Sequence, residues 1–297
     1  NDAYLESARG RPNLTITGDV LVDRIELEGR RARGVRIVTG EGWQVIDGRE
    51  VILCAGAIHS PAILLRSGIG PVDDLRLAGV APLVDAPGVG QNLGEHSNII
   101  ITLQLRPDAR AASLHTRPGL CVVRYSSGLA GAGRNDMQIA CIQPVGVDEG
   151  AYLRGMMFVS AVQSFSRGRV WITTPDPQID PAVDFRLLTD ERDLVRMRDG
   201  VRRLFELVRH PAFAAITARV VIDETGRGPD DLHDEQQIDE WLQARCRDYV
   251  HAVRTCRMGA VNDPHSVVDP NGRVIGVEGL RVVDASLMPE VPRANTH

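Results

Sequence analysis

The chain has 297 residues, of which 43% are hydrophobic, and its acidic and basic residues nearly balance at a formal net charge of −5. This length and apolar content predict roughly two domains with a substantial core. The interleaved charges argue against a nucleic-acid or anionic-membrane surface, and no apolar segment has the length needed to cross a bilayer.

The cysteines, at positions 54, 121, 141, 246 and 256, are scattered and include no C-x-x-C pair. This spacing argues against a disulfide framework and favours a reducing compartment. The reducing compartment leads us to expect a cytoplasmic location, whereas the lack of a targeting peptide before the first predicted strand says little, because the chain begins abruptly at Asn1. Cys246, His251, Cys256 and His265 could be imagined as zinc ligands. Structural zinc normally uses two closely spaced ligand pairs, so we predict no metal site.

Residues 13–54 alternate between apolar and polar side chains, as short β-strands do. Turn residues separate the runs at positions 28–30, 40–42 and 47–48. The pattern therefore predicts an antiparallel meander. Its last run, VILC at 51–54, is continuously apolar, which predicts burial on both faces.

The VILC strand leads through small residues into a predicted short helix. Ser60 is a good N-cap, Pro61 suits the first helical position and Gly68 is a good C-terminal stop. Such a turn lets backbone N–H groups approach a phosphate or a large cofactor, although an ordinary strand-to-helix connection fits equally well. No glycine stretch in the chain completes G-x-G-x-x-G between a strand and a helix, so any phosphate loop would lie upstream of Asn1.

The middle of the chain is predicted to form irregular strands over 99–170 and two helices. The first helix, near 190–209, places Leu194, Met197, Val201, Leu204, Phe205 and Val208 on one face, and this spacing indicates core packing rather than a cofactor site. Pro211 ends it. The second helix, near 233–247, turns Ile238, Trp241 and Leu242 inward and leads to His251.

The segment 251–297 begins and ends with a histidine, and neither lies in a regular apolar pattern. A neutral imidazole has a pKa of about 6.5 and can act as an acid or a base. His251 and His297 are therefore candidate catalytic residues. The alternative for each is an ordinary surface or core histidine.

Several motifs together resemble the glucose-methanol-choline (GMC) family of flavin-dependent oxidoreductases. They are Gly56-Ala57-Ile58-His59-Ser60-Pro61 through Gly70, Pro87-Gly88-Val89-Gly90-Gln91-Asn92-Leu93 with Glu95-His96, the run HAVRTCRMG at 251–259, the run VVDAS at 282–286, and Asn295-Thr296-His297. They follow the family's order over nearly the whole chain. The resemblance is to the family's C-terminal portion, without the N-terminal dinucleotide-binding motif.

The resemblance implies an α/β (α+β) fold with FAD as cofactor. It predicts a partial Rossmann-like FAD-binding domain over 1–100, a substrate-binding domain with an antiparallel sheet backed by helices over 101–250, and a return to the FAD-binding domain over 251–297. It also implies site residues. His251 matches the family's active-site histidine and is expected to be the principal base, with His297 as its orienting partner. The residues expected near FAD are Val22 at the adenine, Ala55 and Gly56 on the adenosine side, Asp284 and Ala285 along the ribityl chain and pyrophosphate, and Asn295 and Thr296 at the flavin ring.

The implied activity is oxidation of the CH–OH group of a small-molecule alcohol by hydride transfer to flavin, as in a choline dehydrogenase-like oxidase or dehydrogenase. Two alternatives remain: a hydroxynitrile lyase on the same scaffold, or an inactive fragment, which is what we expect of this segment in isolation. Arg254 departs from the family pattern, because a small residue, often glycine, usually stands there. Its side chain is expected either to favour an anionic or strongly polar substrate, or to face solvent or pair with an acidic neighbour.

Overall fold

The computed structural model describes residues 2–113, 115–116, 118–143 and 150–296. Helices and antiparallel strands are mixed along these ranges, so the predicted α/β (α+β) class is confirmed. Within them, no helix combines the length and the apolar character that crossing a membrane requires.

The strands are β1 (Leu21–Glu28), β2 (Arg31–Thr39), β3 (Gly42–Asp47), β4 (Val51–Leu53), β5 (Ile69–Gly70), β6 (Val84–Asp85), β7 (Ser97–Leu105), β8 (Gly119–Tyr125), β9 (Met137–Gln143), β10 (Arg154–Ala161), β11 (Arg169–Trp171), β12 (Ala182–Asp184), β13 (Thr217–Val221) and β14 (Leu280–Val282). The α-helices are α1 (Gly56–Arg66), α2 (Val72–Leu77), α3 (Glu191–Arg209), α4 (Pro211–Ile216) and α5 (Glu235–Arg245). Short 3₁₀ or π turns occur at Asp2–Glu6, Pro107–Ala109, Ala151–Leu153, Pro229–Asp231 and Ala285–Leu287.

Strands β1, β2 and β3 form the predicted antiparallel meander. The first turn places Gly29 at φ +60°, a conformation that glycine adopts without a steric penalty. Strand β4 does not join this sheet. It pairs in parallel with β14, which lies more than two hundred residues later in the chain.

The prediction that the apolar run 51–54 is buried on both faces was wrong. Val51 and Leu53 are buried, whereas Ile52 is 52% exposed and Cys54 is also exposed. Side chains alternate between the two faces of a strand, and the described chain covers only one face of the β4–β14 pair.

Helix α1 begins at Gly56, earlier than the sequence suggested. Ser60 is therefore not an N-cap, and Pro61 lies inside the helix. A proline inside a helix leaves the carbonyl four residues before it without its usual N–H donor. The carbonyl in question belongs to Ala57, and the Thr255 hydroxyl donates to it at 2.6 Å. A side chain from the C-terminal region thus compensates for the proline.

The middle of the chain forms a five-stranded antiparallel sheet in the order β13-β7-β10-β9-β8. Helix α3 packs on this sheet through the apolar face that the sequence predicted, and Asp190 caps it by accepting a hydrogen bond from the Arg192 N–H. Helix α5 buries Ile238, Trp241 and Leu242, as predicted. After Pro211 the chain enters the short helix α4, which the sequence analysis did not anticipate.

Buried apolar residues fall into two clusters. The first surrounds α1 and draws on residues 25–89 together with Ile172 and residues 256–282. The second lies between the five-stranded sheet and helices α3 and α5, and draws on residues 99–242. The first cluster is therefore built mainly from residues that precede and follow those of the second cluster in the sequence. The domain boundaries near residues 100 and 250 stay a prediction.

Candidate active site

His251 lies in a buried loop between α5 and the C-terminal region, and its residue is 2% exposed. Two pairs of backbone hydrogen bonds fix this loop against the start of β7. Arg247 exchanges bonds with Asn98 at 2.9 Å in both directions, and Val253 exchanges bonds with Gly94 at 3.0 Å in both directions. Val250, just before the histidine, has φ +56°. This conformation is unfavourable for a β-branched residue and costs about 1–3 kcal/mol, so the surrounding contacts must impose it.

Glu95 holds the backbone of His251 directly. Its carboxylate accepts the His251 N–H at 2.8 and 3.1 Å and the His96 N–H at 2.7 Å. Burial raises the pKa of Glu95 to about 7, even though these N–H groups favour the ionised form. The Glu95 side chain therefore fixes the backbone of both His96 and His251.

Aromatic rings surround the His251 imidazole. The His251 ring centroid lies 4.9 Å from that of Tyr249 and 5.3 Å from that of His96, both in edge-to-face geometry. Phe158 of β10 contacts Tyr249 in turn, at 5.3 Å. These inclined rings enclose one side of the candidate base.

His96 is fully buried, and burial lowers its pKa to about 4, so it is neutral at pH 7. Its Nε2 lies 2.8 Å from the Pro292 carbonyl oxygen. A carbonyl can only accept, so Nε2 carries the proton and donates it. His96 thus connects the histidine cluster to the C-terminal segment.

The C-terminal segment reaches His251 through Thr296. The Thr296 Oγ1 lies 3.2 Å from His251 Nδ1, and the Thr296 backbone N–H lies 3.5 Å from the same nitrogen. Arg124 donates to the carbonyl of Arg293, and Arg293 donates to that of Arg134 at 2.9 Å. Asn295 is exposed. His297, the predicted orienting partner, lies outside the described residues.

Arg254 is buried, with φ +79° and a guanidinium that donates to Glu290 at 2.7 Å. Arg167 lies 3.6 Å from the same carboxylate. Burial, followed by repulsion from Arg167, lowers the pKa of Arg254 to about 10. Pairing with an acidic neighbour was one of the expected alternatives. The left-handed backbone conformation also explains why glycine would suit this position.

The predicted cofactor residues Ala55, Gly56, Asp284 and Ala285 are brought together where the parallel strands β4 and β14 end. The Asp284 carboxylate accepts the Gly56 N–H at 2.9 Å, the Ser60 hydroxyl at 2.5 Å and the Ser286 N–H at 2.8 Å. Ligands commonly bind at the carboxyl ends of parallel strands. Val22 lies elsewhere, because its carbonyl faces Arg66 at the far end of α1. Eleven helical residues separate the two ends, which is a distance of about 15 Å.

These residues fit the hydroxylated part of a dinucleotide cofactor. Gly56 has φ +80°, and a Cβ added there would meet no atom within 4 Å, so a ligand could approach the backbone closely. The Asp284 carboxylate can accept a further hydrogen bond from a ribityl hydroxyl. Its negative charge and its bond to the Gly56 N–H make the same spot unsuitable for a phosphate.

Backbone hydrogen bonds join the histidine region to this cofactor region. Arg254 N–H donates to the Ala285 carbonyl at 3.3 Å, Cys256 N–H to Ser286 at 2.9 Å and Met258 N–H to Leu287 at 2.8 Å. The structure therefore places His251 and Thr296 next to the segment that carries Asp284 and Ala285. Sequence reasoning missed Glu95, His96 and Tyr249 as site residues. The only signal in the sequence was that an acidic residue and a histidine are adjacent at Glu95-His96.

Comparisons with known proteins agree on one family. Family models described as GMC oxidoreductase match residues 1–98 and 164–297. The chain is 39% identical over 306 residues to 5-(hydroxymethyl)furfural oxidase of Methylovorus sp. (strain MP688), covering 99% of this chain and 56% of that protein. It is 33% identical over 317 residues to oxygen-dependent choline dehydrogenase of Pectobacterium carotovorum subsp. carotovorum (strain PC1), covering 98% and 56%.

Among solved structures, pyridoxine 4-oxidase from Mesorbium loti superposes with a TM-score of 0.83 at 30% identity. The match covers 99% of this chain and 57% of that one. The chain thus spans a little over half the length of these relatives. The expectation that it holds only the C-terminal portion was wrong, since residues 1–98 match the N-terminal family model.

Proposed function

The chain belongs to the GMC oxidoreductase family, whose cofactor is FAD, and from this we propose that it oxidises the CH–OH group of a small alcohol with His251 as the base. The observation that carries the proposal is the burial of His251 between Glu95, Tyr249 and Thr296, beside the segment of Asp284 and Ala285. A histidine held by its backbone on one side and by Nδ1 on the other has a fixed ring orientation.

The flavin, when bound, accepts the hydride, which no protein side chain can do. The protein supplies the proton acceptor. In the tautomer that carries the proton on Nδ1, Thr296 Oγ1 accepts a hydrogen bond from that nitrogen, and Nε2 is the ring nitrogen that would take the proton of the alcohol. Such base catalysis contributes about 10²–10⁴ in rate. We propose that His297 orients the alcohol oxygen, so that the carbon-bound hydrogen points at the flavin.

The cofactor-binding roles are part of the same proposal. Asp284, with Gly56 and Ala55 beside it, would hold the ribityl and adenosine side, and Ala285 would contact the same part of the cofactor. Val22 would lie at the adenine end, because the length of α1 separates it from Gly56. Asn295 and Thr296 would lie at the ring end, beside His251.

The aromatic ring beside His251 supports a substrate class. Tyr249, packed against Phe158, places aromatic carbon next to the His251 imidazole, which suits an aromatic ring bearing a hydroxymethyl group. One of the similar proteins is named for 5-(hydroxymethyl)furfural. We therefore propose an aryl or heteroaryl methanol in preference to choline.

The test is anaerobic stopped-flow reduction of the flavin-loaded protein by a panel of furanyl, pyridyl and benzyl alcohols, with choline for comparison. We expect an aryl methanol to bleach the flavin fastest. His251→Ala should keep its flavin spectrum, while the reduction rate falls by about 10² or more. His233→Ala, which changes an exposed histidine, is the control and should reduce normally. Normal reduction in His251→Ala would refute the role of the base. Flavin that no alcohol bleaches, together with cleavage of a cyanohydrin, would refute the redox function.

A further inference from the structure

Two cysteines occupy directly opposed positions on neighbouring antiparallel strands. Cys121 of β8 is in register with Cys141 of β9, between the pairs Leu120–Ile142 and Val122–Ala140. Both thiols are free. The Cα atoms of directly opposed residues lie about 4.5 or 5.5 Å apart, and both separations fall within the range that a disulfide spans. The pairing also points both side chains to the same face of the sheet.

The two thiols differ in their exposure. Strand β8 is the edge of the five-stranded sheet, and Cys121 is exposed there. Cys141 is half-buried and packs at the margin of the second apolar cluster, where burial and the neighbouring Cys121 thiolate raise its pKa. An oxidant from solvent therefore reaches Cys121 first, and the resulting species has Cys141 as its nearest thiol.

We propose that Cys121 and Cys141 form a peroxide-sensitive dithiol that closes reversibly to a disulfide across β8 and β9. The Cys121 thiolate attacks one oxygen of hydrogen peroxide, the O–O bond breaks, and a sulfenic acid and hydroxide result. The Cys141 sulfur then attacks the sulfenic sulfur, the S–S bond forms, and the S–O bond breaks to release water. In total, two thiols lose two electrons and two protons, and one peroxide becomes two waters.

This bond differs from a structural disulfide. Opposed Cβ atoms in a sheet lie at or beyond the upper end of the separation that a disulfide prefers, so the bond forms under strain. Strained and exposed disulfides are more readily reduced and are those used for regulation. No other two of the chain's cysteines are paired in register within the described sheets. The proposal does not depend on the alcohol-oxidising function.

The sequence itself provides a clean assay. Arg124 and Arg134 lie between the two cysteines, so trypsin places Cys121 and Cys141 on separate peptides that only a disulfide joins. The flavin-loaded protein is reduced, exposed to hydrogen peroxide, quenched with catalase, alkylated under denaturing conditions and digested. Mass spectrometry should find the joined peptide in oxidised protein, and dithiothreitol should remove it.

Substitutions test whether the joined peptide depends on Cys121 and Cys141 or on another thiol. Cys121→Ser and Cys141→Ala should each abolish the joined peptide, whereas Cys54→Ser, which changes another exposed cysteine, should retain it. A trivalent arsenical such as phenylarsine oxide tests proximity without mutation, because one equivalent should protect both thiols from alkylation. Cys121 joined to a second chain would overturn the proposal. So would an over-oxidised Cys121 beside an intact Cys141 thiol, or separate alkylation of both thiols after peroxide.

Discussion

At the scale of single residues, the backbone of Arg254 is the least expected feature of the site. Its φ of +79° favours glycine, yet the residue carries a buried guanidinium paired with Glu290. This backbone conformation costs about 1–2 kcal/mol in any residue with a Cβ, and Glu290 compensates for only part of the burial of the guanidinium. Glu290 belongs to the same C-terminal segment as Thr296, which contacts His251.

Comparing Arg254→Gly with Arg254→Ala separates these two effects. Both substitutions remove the guanidinium, so only the backbone term differs between them. We expect the glycine variant to have the larger free energy of unfolding, by about 1 kcal/mol, because glycine reaches this φ without strain. Urea unfolding of the two variants measures the difference. An alanine variant as stable as the glycine variant would show that Arg254 is not strained.

The raised pKa of Glu95 predicts how the stability of the protein depends on pH. Its pKa rises from 4.5 to about 7 on folding, so the folded protein holds this proton more tightly than the unfolded chain. The resulting stability is fully present below pH 4.5 and is lost as the pH rises through about 7, a change of roughly 3 kcal/mol. Glu95→Gln cannot titrate. The free energy of unfolding of the wild type, minus that of this variant, should therefore fall between pH 4.5 and 7.

The control for this measurement is Glu278→Gln, which neutralises an exposed carboxylate. A flat difference for Glu95→Gln would mean that folding does not raise the pKa of Glu95.

At the scale of elements, α1 depends on the C-terminal region for its hydrogen bonds. Asp284 binds the Gly56 N–H at the start of the helix, and Thr255 binds the Ala57 carbonyl that Pro61 leaves without a donor. Sequence reasoning expected Ser60 as a local cap. It was wrong because the actual cap lies 228 residues away in the chain.

The Thr255–Pro61 relation can be measured as a double-mutant cycle. Thr255→Val leaves the buried Ala57 carbonyl unsatisfied and should lower the free energy of unfolding by about 1–3 kcal/mol. Pro61→Ala restores the backbone N–H that belongs to this carbonyl. Thr255→Val should therefore cost less in the Pro61→Ala background, with a coupling of about 0.5–3 kcal/mol from unfolding curves. Strict additivity would show that the two groups do not share the carbonyl.

At the scale of the whole molecule, local patterns predicted local structure and little else. Helices α3 and α5 could be predicted because their apolar spacing alone places Met197, Leu204 and Trp241 in the core. The pairing of β4 with β14 could not, since neither strand encodes its distant partner. Glu95 and His96 were missed because they act mainly through backbone groups, which a sequence pattern does not display.

The composition of the first apolar cluster also has a consequence for biosynthesis. Its two main parts, residues 25–89 and 256–282, leave the ribosome far apart in time. At about 5–20 residues per second, the delay between them is on the order of ten to thirty seconds. During that interval, the apolar side of α1 lacks its packing partner β14, whereas the five-stranded sheet and α3 of the second cluster have already been synthesised. Nascent chains therefore expose the apolar side of α1 to solvent until residues 256–282 have been synthesised.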